Sequence, residues 1–240
     1  MSSTADAQPL PVGRMAIIGL FVTALVTAQL TASKLLAFPL PFSLPFSGTT
    51  ALLPGAALAY ALTFFASDCY AELYGRRAAQ TMVNVAFWMN LVMLALVWGT
   101  IFAPAANPGF ASEFRSVLAP GTNIVVGSLL AYLVSQNWDV IVFHRIRSLT
   151  DGEHLWLRNI GSTATSQAID TVIFVSVAFY AAPRLLGIGD ALPTTVILGL
   201  VVGQYALKLL IALVDTPFVY AAVGLLRSRG HAGPASTVAD

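Results

Sequence analysis

Six apolar runs, each long enough to cross a bilayer, decide what this chain can fold into. They cover about residues 15–36, 50–74, 78–102, 122–143, 155–182 and 194–226, and about 20 consecutive apolar residues span the hydrocarbon core. With 57% hydrophobic residues, 10% charged residues and a mean hydropathy of +0.79, the chain is far from a soluble domain, where about a quarter of residues are charged. The sequence predicts an all-α membrane protein with six transmembrane helices. The first run follows Arg14, as a signal peptide would, but it exceeds the 7–15 apolar residues of such a segment and reads as the first span. Residues 1–13 and 230–240 read as disordered tails around a transmembrane domain at 14–229.

The connections carry their own signals. Prolines 39, 41 and 45 alternate with aromatic and apolar residues, which forbids a regular helix and predicts an extended loop at the membrane surface. The second span is expected to begin near Thr50, tolerating Pro54 in its first turns. A short surface helix is expected around 112–118, and a kink at Asp215-Thr216-Pro217 in the long last span. Eight arginines fall in the N-terminal tail, the two–three loop, the four–five loop and the C-terminal tail, against Lys34, Arg115 and Arg184 on the other side. That bias places both termini in the cytoplasm of a cell (inner) membrane protein. Three spans followed by three also have the arithmetic of two inverted three-helix halves.

Charge and cysteine content narrow the chemistry. A net charge of +1 points to neither nucleic acid nor a strongly anionic partner, and the single Cys69 rules out an intramolecular disulfide and a multi-thiolate metal site. No zinc, nucleophile-elbow or phosphate-loop pattern is present. The reading is therefore of a non-enzyme without cofactor or metal, whose partners are the lipid bilayer, a small molecule and further copies of itself in a homo-oligomer, with any ATP coupling left to another subunit.

Polar residues inside the spans are the candidates for function, because a charged side chain at mid-bilayer costs about 2.5–3.5 kcal/mol on insertion scales. The pattern S-Q-x-x-D occurs twice, at Ser135-Gln136-Asn137-Trp138-Asp139 and Ser166-Gln167-Ala168-Ile169-Asp170. It does not fit the inverted symmetry and reads as chance repetition. Asn159, Thr163, Ser166, Gln167 and Asp170 form one helical stripe, and Ser128, Tyr132, Ser135, Gln136 and Asp139 another. The end of the first span adds Gln29, Thr31, Ser33 and Lys34, the second span adds Ser67, Asp68 and Glu72, and the sixth adds Gln204, Lys208 and Asp215, so the expected cavity is ringed by the first, second, fourth, fifth and sixth spans. Facing one wet cavity, such stripes can satisfy each other. Structural alternatives stand beside that reading. Glu72 can pair with Arg76, Asp68 and Asp139 can snorkel at helix ends, and Lys208 can serve as a counter-ion. Asp170, about 18 Å along its helix from Arg158, resists such an account.

Four ordered segments resemble one family. Ser67-Asp68-Cys69-Tyr70-Ala71-Glu72-Leu73-Tyr74-Gly75 is similar to the S-D-x-x-x-E-x-Y-G signature of the queuosine precursor transporter family, also called the vitamin uptake transporter family. Ser135-Gln136 with Asp139 and Phe143, Leu155–Asn159 through Ser166-Gln167 with Asp170, and Lys208 with Asp215-Thr216-Pro217 resemble it further. The resemblance implies an importer of 7-cyano-7-deazaguanine and its aminomethyl relative for tRNA modification. It draws attention to Asp68, Glu72, Gln136, Asp139, Asn159, Gln167, Asp170 and Lys208 as substrate-binding residues. A carboxylate can accept the paired N–H donors of a guanine-like edge and an amide can donate to its carbonyl, while Phe64, Tyr132 or Phe174 can stack on the base. The competing readings are a substrate-binding subunit for another vitamin-like molecule driven by a partner ATPase, and a non-transporting receptor.

Overall fold

The computed structural model describes residues 12–150 and 155–228, without the side chains of Leu155, Trp156, Arg158, Asn159, Thr216 and Arg227. The tails expected at either end lie outside those residues, except that Val12 and Gly13 already belong to the first helix.

Eight α-helices and one β-hairpin make up the described chain. They are α1 (Val12–Thr31), β1 (Leu35–Leu44), β2 (Gly48–Pro54), α2 (Ala57–Tyr74), α3 (Arg76–Phe102), α4 (Pro108–Leu118), α5 (Gly121–Leu149), α6 (Leu155–Ser176), α7 (Ala182–Leu186) and α8 (Thr194–Ser228). Five helical stretches are long and apolar enough to span a membrane: Val12–Thr31, Arg76–Phe102, Pro108–Leu149, Ile160–Leu186 and Thr194–Asp215. The fold is that of a helical membrane protein. α2, with 18 residues and both Asp68 and Glu72, is not among the five.

The proline-rich segment departs from expectation. It is a strand paired antiparallel to β2, with Leu35 opposite Pro54 and Pro39 opposite Thr50, and with a register irregularity between Pro39 and Leu44. A two-stranded hairpin has only edges, so a proline lacking its N–H costs no inner ladder bond. The residues expected to open the second helix, Thr50–Pro54, are therefore strand, and α2 begins at Ala57. The first helix likewise stops at Thr31 instead of continuing to Leu36.

Two glycines seat this hairpin. A Cβ on Gly203 would overlap the carbonyl oxygen of Leu52, and one on Gly55 would overlap that of Thr31. The Gly55 N–H donates to the Lys34 carbonyl at 2.5 Å, closing the hairpin's base. β2 thus lies backbone-to-backbone against α8.

The short helix expected near 112–118 is α4, capped by the Asn107 side chain accepting from the Phe110 N–H at 3.2 Å, with Pro108 in its first turn. Between α6 and α7 the helix widens into a π-turn over Val177–Ala181, just ahead of Pro183. Gly127 of α5 faces that turn so closely that a Cβ would lie 2.9 Å from the Ala178 Cβ. α8 continues as one helix through Pro217, whose missing N–H leaves the Leu213 carbonyl without its helical donor.

The core divides into two clusters. Ile17, Phe21 and Leu25 of α1 pack on Ala66, Cys69, Tyr70 and Leu73 of α2 and on Ala79, Met82 and Ala86 of α3. Ala32, Ile124, Phe174, Val175, Phe179 and Leu200 form the second. Arg14 fastens the first cluster at its end, donating from Nε to the Tyr70 hydroxyl at 2.9 Å with its guanidinium 5.1 Å from the Tyr74 ring centre.

Candidate substrate-binding cavity

A cavity of about 250 Å³ lies among α1, α2, α3, α5, α6 and α8, with Pro54 of the hairpin in its wall. The sequence stripes anticipated five of those six helices; α3 adds Val83 and Phe87. The space is smaller than the ~300–1,000 Å³ of sites for drug-sized ligands, which suits one compact ring system.

Its polar centre is an ion pair. Lys208 Nζ of α8 donates to Asp170 Oδ2 of α6 at 2.6 Å, with Lys208 3% and Asp170 17% exposed. Ser135 of α5 donates to Asp170 Oδ1 at 3.3 Å, so both carboxylate oxygens are engaged. The Lys208 ammonium also stands 5.7 Å from the Tyr60 ring centre. Charges removed from water persist only when paired and bonded in this way.

The repeated S-Q-x-x-D pattern acquires a physical meaning here. Ser135 bonds Asp170, and Ser166 donates to Asp139 Oδ1 at 3.2 Å. Each serine on one helix bonds the aspartate of the other copy, because the two helices run antiparallel and the serine–aspartate spacing of four is one turn on both. Whatever its origin, the repetition forms a reciprocal clasp between α5 and α6.

Amides and aromatic rings complete the wall. Gln29, Gln167 and Gln204 line it from α1, α6 and α8, and the side-chain oxygen of each is buried without a hydrogen-bond partner. Gln29 Nε2 donates to Ser128 at 3.4 Å. Gln136 lines the cavity from α5 and is exposed. Tyr60 and Phe64 meet edge-to-face with centroids 5.0 Å apart, and Phe87 stacks on Tyr132 at 4.4 Å. The Tyr132 hydroxyl is fixed from α3, donating to Asn84 Oδ1 at 2.6 Å and accepting from Gln80 Nε2.

Of the eight residues singled out by sequence, Gln136, Gln167, Asp170 and Lys208 line this cavity. Asp139 is half-buried at the other end of the clasp, outside the wall. Asp68 and Glu72 are exposed on α2 and do not line it. Ser67 does, and the next residue on a helix points about 100° away. Asp68 instead lies within electrostatic range of Asp215 on α8. The Asn159 side chain is outside the described residues. Of the proposed stacking rings, Phe64, Tyr132 and Phe174 all line the cavity. Sequence reasoning did not single out Tyr60, and it noted Gln29 and Gln204 only as polar residues. Each amide interrupts an apolar run, the same signal that drew attention to Asp170.

A second cavity of about 480 Å³ opens among the ends of α1, α4, α5 and α7 and the connection before α8. Ile124 lines both cavities.

A family model described as "Putative vitamin uptake transporter" matches residues 54–222, from the end of β2 into the last turns of α8. The chain belongs to this family. It is 36% identical over 177 residues to a "Probable queuosine precursor transporter" of Bacillus subtilis (strain 168), covering 73% of this chain and 72% of that relative. It is 26% identical over 160 residues to the "Queuosine precursor transporter" of Escherichia coli (strain K12), covering 66% of each. A "Probable queuosine precursor transporter" of Haemophilus influenzae (strain ATCC 51907 / DSM 11121 / KW20 / Rd) is 30% identical over about half of each chain. No solved structure matches the chain. Family members are transporters, not enzymes, and this one is a multi-pass membrane protein.

Proposed function

We propose that the chain imports a deazaguanine base, chiefly 7-cyano-7-deazaguanine and also its aminomethyl relative, for queuosine-type tRNA modification. The observation that carries this reading is a small cavity walled by flat rings and holding one ion pair and several amides at the centre of the helices. Flat rings suit a planar base, and amides and charged groups match its alternating donors and acceptors. In this reading Gln136, Gln167, Asp170 and Lys208 contact the base. Asp68, Glu72 and Asp139 serve the path between the cavity and the cytoplasm. Ile124 is the partition between the two cavities, one reached from each side of the membrane. The test is uptake of radiolabelled 7-cyano-7-deazaguanine by the purified protein in liposomes without ATP. Saturable uptake is expected; binding without uptake would instead favour a substrate-binding subunit that needs a partner.

The topology belongs to the same proposal. α2 is the sixth span, α1–α3 and α5, α6 and α8 form inverted halves, and both termini face the cytoplasm of the inner membrane within a transmembrane domain at 14–229. Residues Ala105 and Ser148 are both exposed, in the α3–α4 loop and near the end of α5, and the native Cys69 is buried. Impermeant maleimide added to intact cells should label Ala105→Cys and spare Ser148→Cys. The opposite pattern would reverse the orientation.

A further inference from the structure

We propose that the second cavity, among the ends of α1, α4, α5 and α7, is a binding site in its own right, where the incoming base donates an N–H to the Asn123 amide oxygen before it passes Ile124. The inference rests on the proposed function and adds a separate station to its path. Asn123 is 3% exposed and is the one buried polar side chain lining this cavity, among the described residues. Lys34 and Asp190 also line it, but both are exposed to water.

The Asn123 side chain is fixed in one orientation. Its Nδ2 donates to the Ile188 carbonyl at 2.7 Å. A carbonyl oxygen only accepts, so the amide nitrogen must face it and Oδ1 must face the other way. That oxygen is buried and has no partner among the described residues. A buried acceptor without a donor is costly, and a ligand bringing an N–H relieves the cost. The backbone holds this arrangement in place. Gly187 and Gly189 take φ values of 64° and 70°, turning the chain on either side of the Ile188 carbonyl. The Leu192 N–H then donates to the Phe179 carbonyl at 2.9 Å, which fastens the connection to the π-turn.

The remaining wall suits the same planar ligand as the central cavity. Phe179 lines it and is 6% exposed, a flat apolar surface for a ring. It meets Phe174 of the central cavity edge-to-face, with centroids 5.9 Å apart. Ile124 follows Asn123 in the chain and lines both cavities, so one layer of side chains separates the two sites. At about 480 Å³ against about 250 Å³, a base that fits the inner site fits the outer one more loosely. One buried hydrogen-bonding group here, against an ion pair and three amides there, makes the outer site the weaker of the two. In the proposed topology it opens away from the cytoplasm, where an imported base arrives.

Thiol protection of the purified, detergent-solubilised protein tests this. Ser116 of α4 lines the cavity and is exposed, and the native Cys69 is buried. 7-Cyano-7-deazaguanine should slow maleimide labelling of Ser116→Cys and leave Ala105→Cys, outside the cavity, unaffected. Half-protection should need a concentration at least about tenfold above the inner site's dissociation constant from isothermal titration, the factor expected for one hydrogen-bonding group or more. Adding Asn123→Leu, close in size to the native residue, should abolish the protection and leave the inner-site constant near its native value. Val117 is 61% exposed and lines the same cavity, so Val117→Trp fills it without touching the core. The KM for uptake by that variant in liposomes should rise at least about tenfold with the inner-site constant unchanged.

Unprotected Ser116→Cys, with normal binding at the inner site, would overturn the inference and leave the proposed function standing. So would protection that follows the inner-site constant and survives Asn123→Leu, because occupancy of the inner site would then be moving α4. A native KM in Val117→Trp would overturn the inference independently. If titration detected no binding of the base at all, the proposed function would fall, and the inference with it.

Discussion

Asp170→Asn and Lys208→Met should each destabilise the protein by about 3–5 kcal/mol, the usual cost of leaving one member of a buried ion pair without its partner. Lys208 is 3% exposed and holds Asp170 at 2.6 Å, so neither variant can turn its orphaned charge to water without moving α6 or α8. Carrying both changes removes both charges. The double variant should then lose clearly less than the sum of the singles, with a coupling energy of about 2–3 kcal/mol. Unfolding of the purified proteins in mixed micelles measures all three values. Additive losses would mean that the short distance carries no energetic coupling. Uptake by the refolded double variant should still fall at least about tenfold, because the polar centre of the cavity is then missing. Full uptake would restrict the pair to a structural role.

This pair marks the boundary of what the sequence makes legible. Hydropathy located the apolar helices because the bilayer imposes a length and excludes charge. The polar stripes on α5 and α6 followed from helical spacing, which is local. Lys208 and Asp170 stand 38 positions apart, and no local rule joins them. The sequence offered Lys208 as a counter-ion but could not say for which acid, nor that Ser135 and Lys208 each bond one oxygen of Asp170. The two S-Q-x-x-D copies looked accidental until antiparallel packing brought each serine to the other's aspartate.

The hairpin was hidden by a different ambiguity. Prolines 39, 41 and 45 exclude a helix but do not separate an irregular loop from an edge strand. The run Thr50–Pro54 is too short for its periodicity to distinguish strand from helix. Its true state depends on Leu52 reaching the backbone of α8 at Gly203, a contact across more than 150 positions. Glycine at 199 and 203 is visible in the sequence, but a small pair in an apolar helix is equally read as a helix–helix seat.

Gly203→Ala should be among the most damaging single-methyl changes in the protein, although alanine is the better helix former by about 1 kcal/mol. The new Cβ would overlap the Leu52 carbonyl oxygen and press on the Leu52 backbone carbon and nitrogen. A backbone held by ladder bonds to β1 cannot turn aside as a side chain can. Accommodation must shift β2 or bend α8, at the roughly 1–3 kcal/mol of an overpacked core or more. Pro54, two residues on, lines the cavity, so the shift should reduce uptake as well as stability. Gly199→Ala offers a graded comparison one turn earlier. Its Cβ would meet the Leu52 Cδ1 at 3.1 Å and the Ser47 Cβ at 3.2 Å, neighbours that can yield by a few tenths of an ångström. Gly19→Ala, exposed on α1 with nothing within 4 Å, should be neutral or slightly stabilising, since only helix propensity acts there. Melting temperatures of the three purified variants should therefore rank Gly19→Ala above Gly199→Ala and Gly203→Ala lowest, with uptake lost most in the last. If Gly203→Ala melted and transported like the native protein, β2 would not rest on α8 at that glycine, and the hairpin would have no fixed place in the cavity wall.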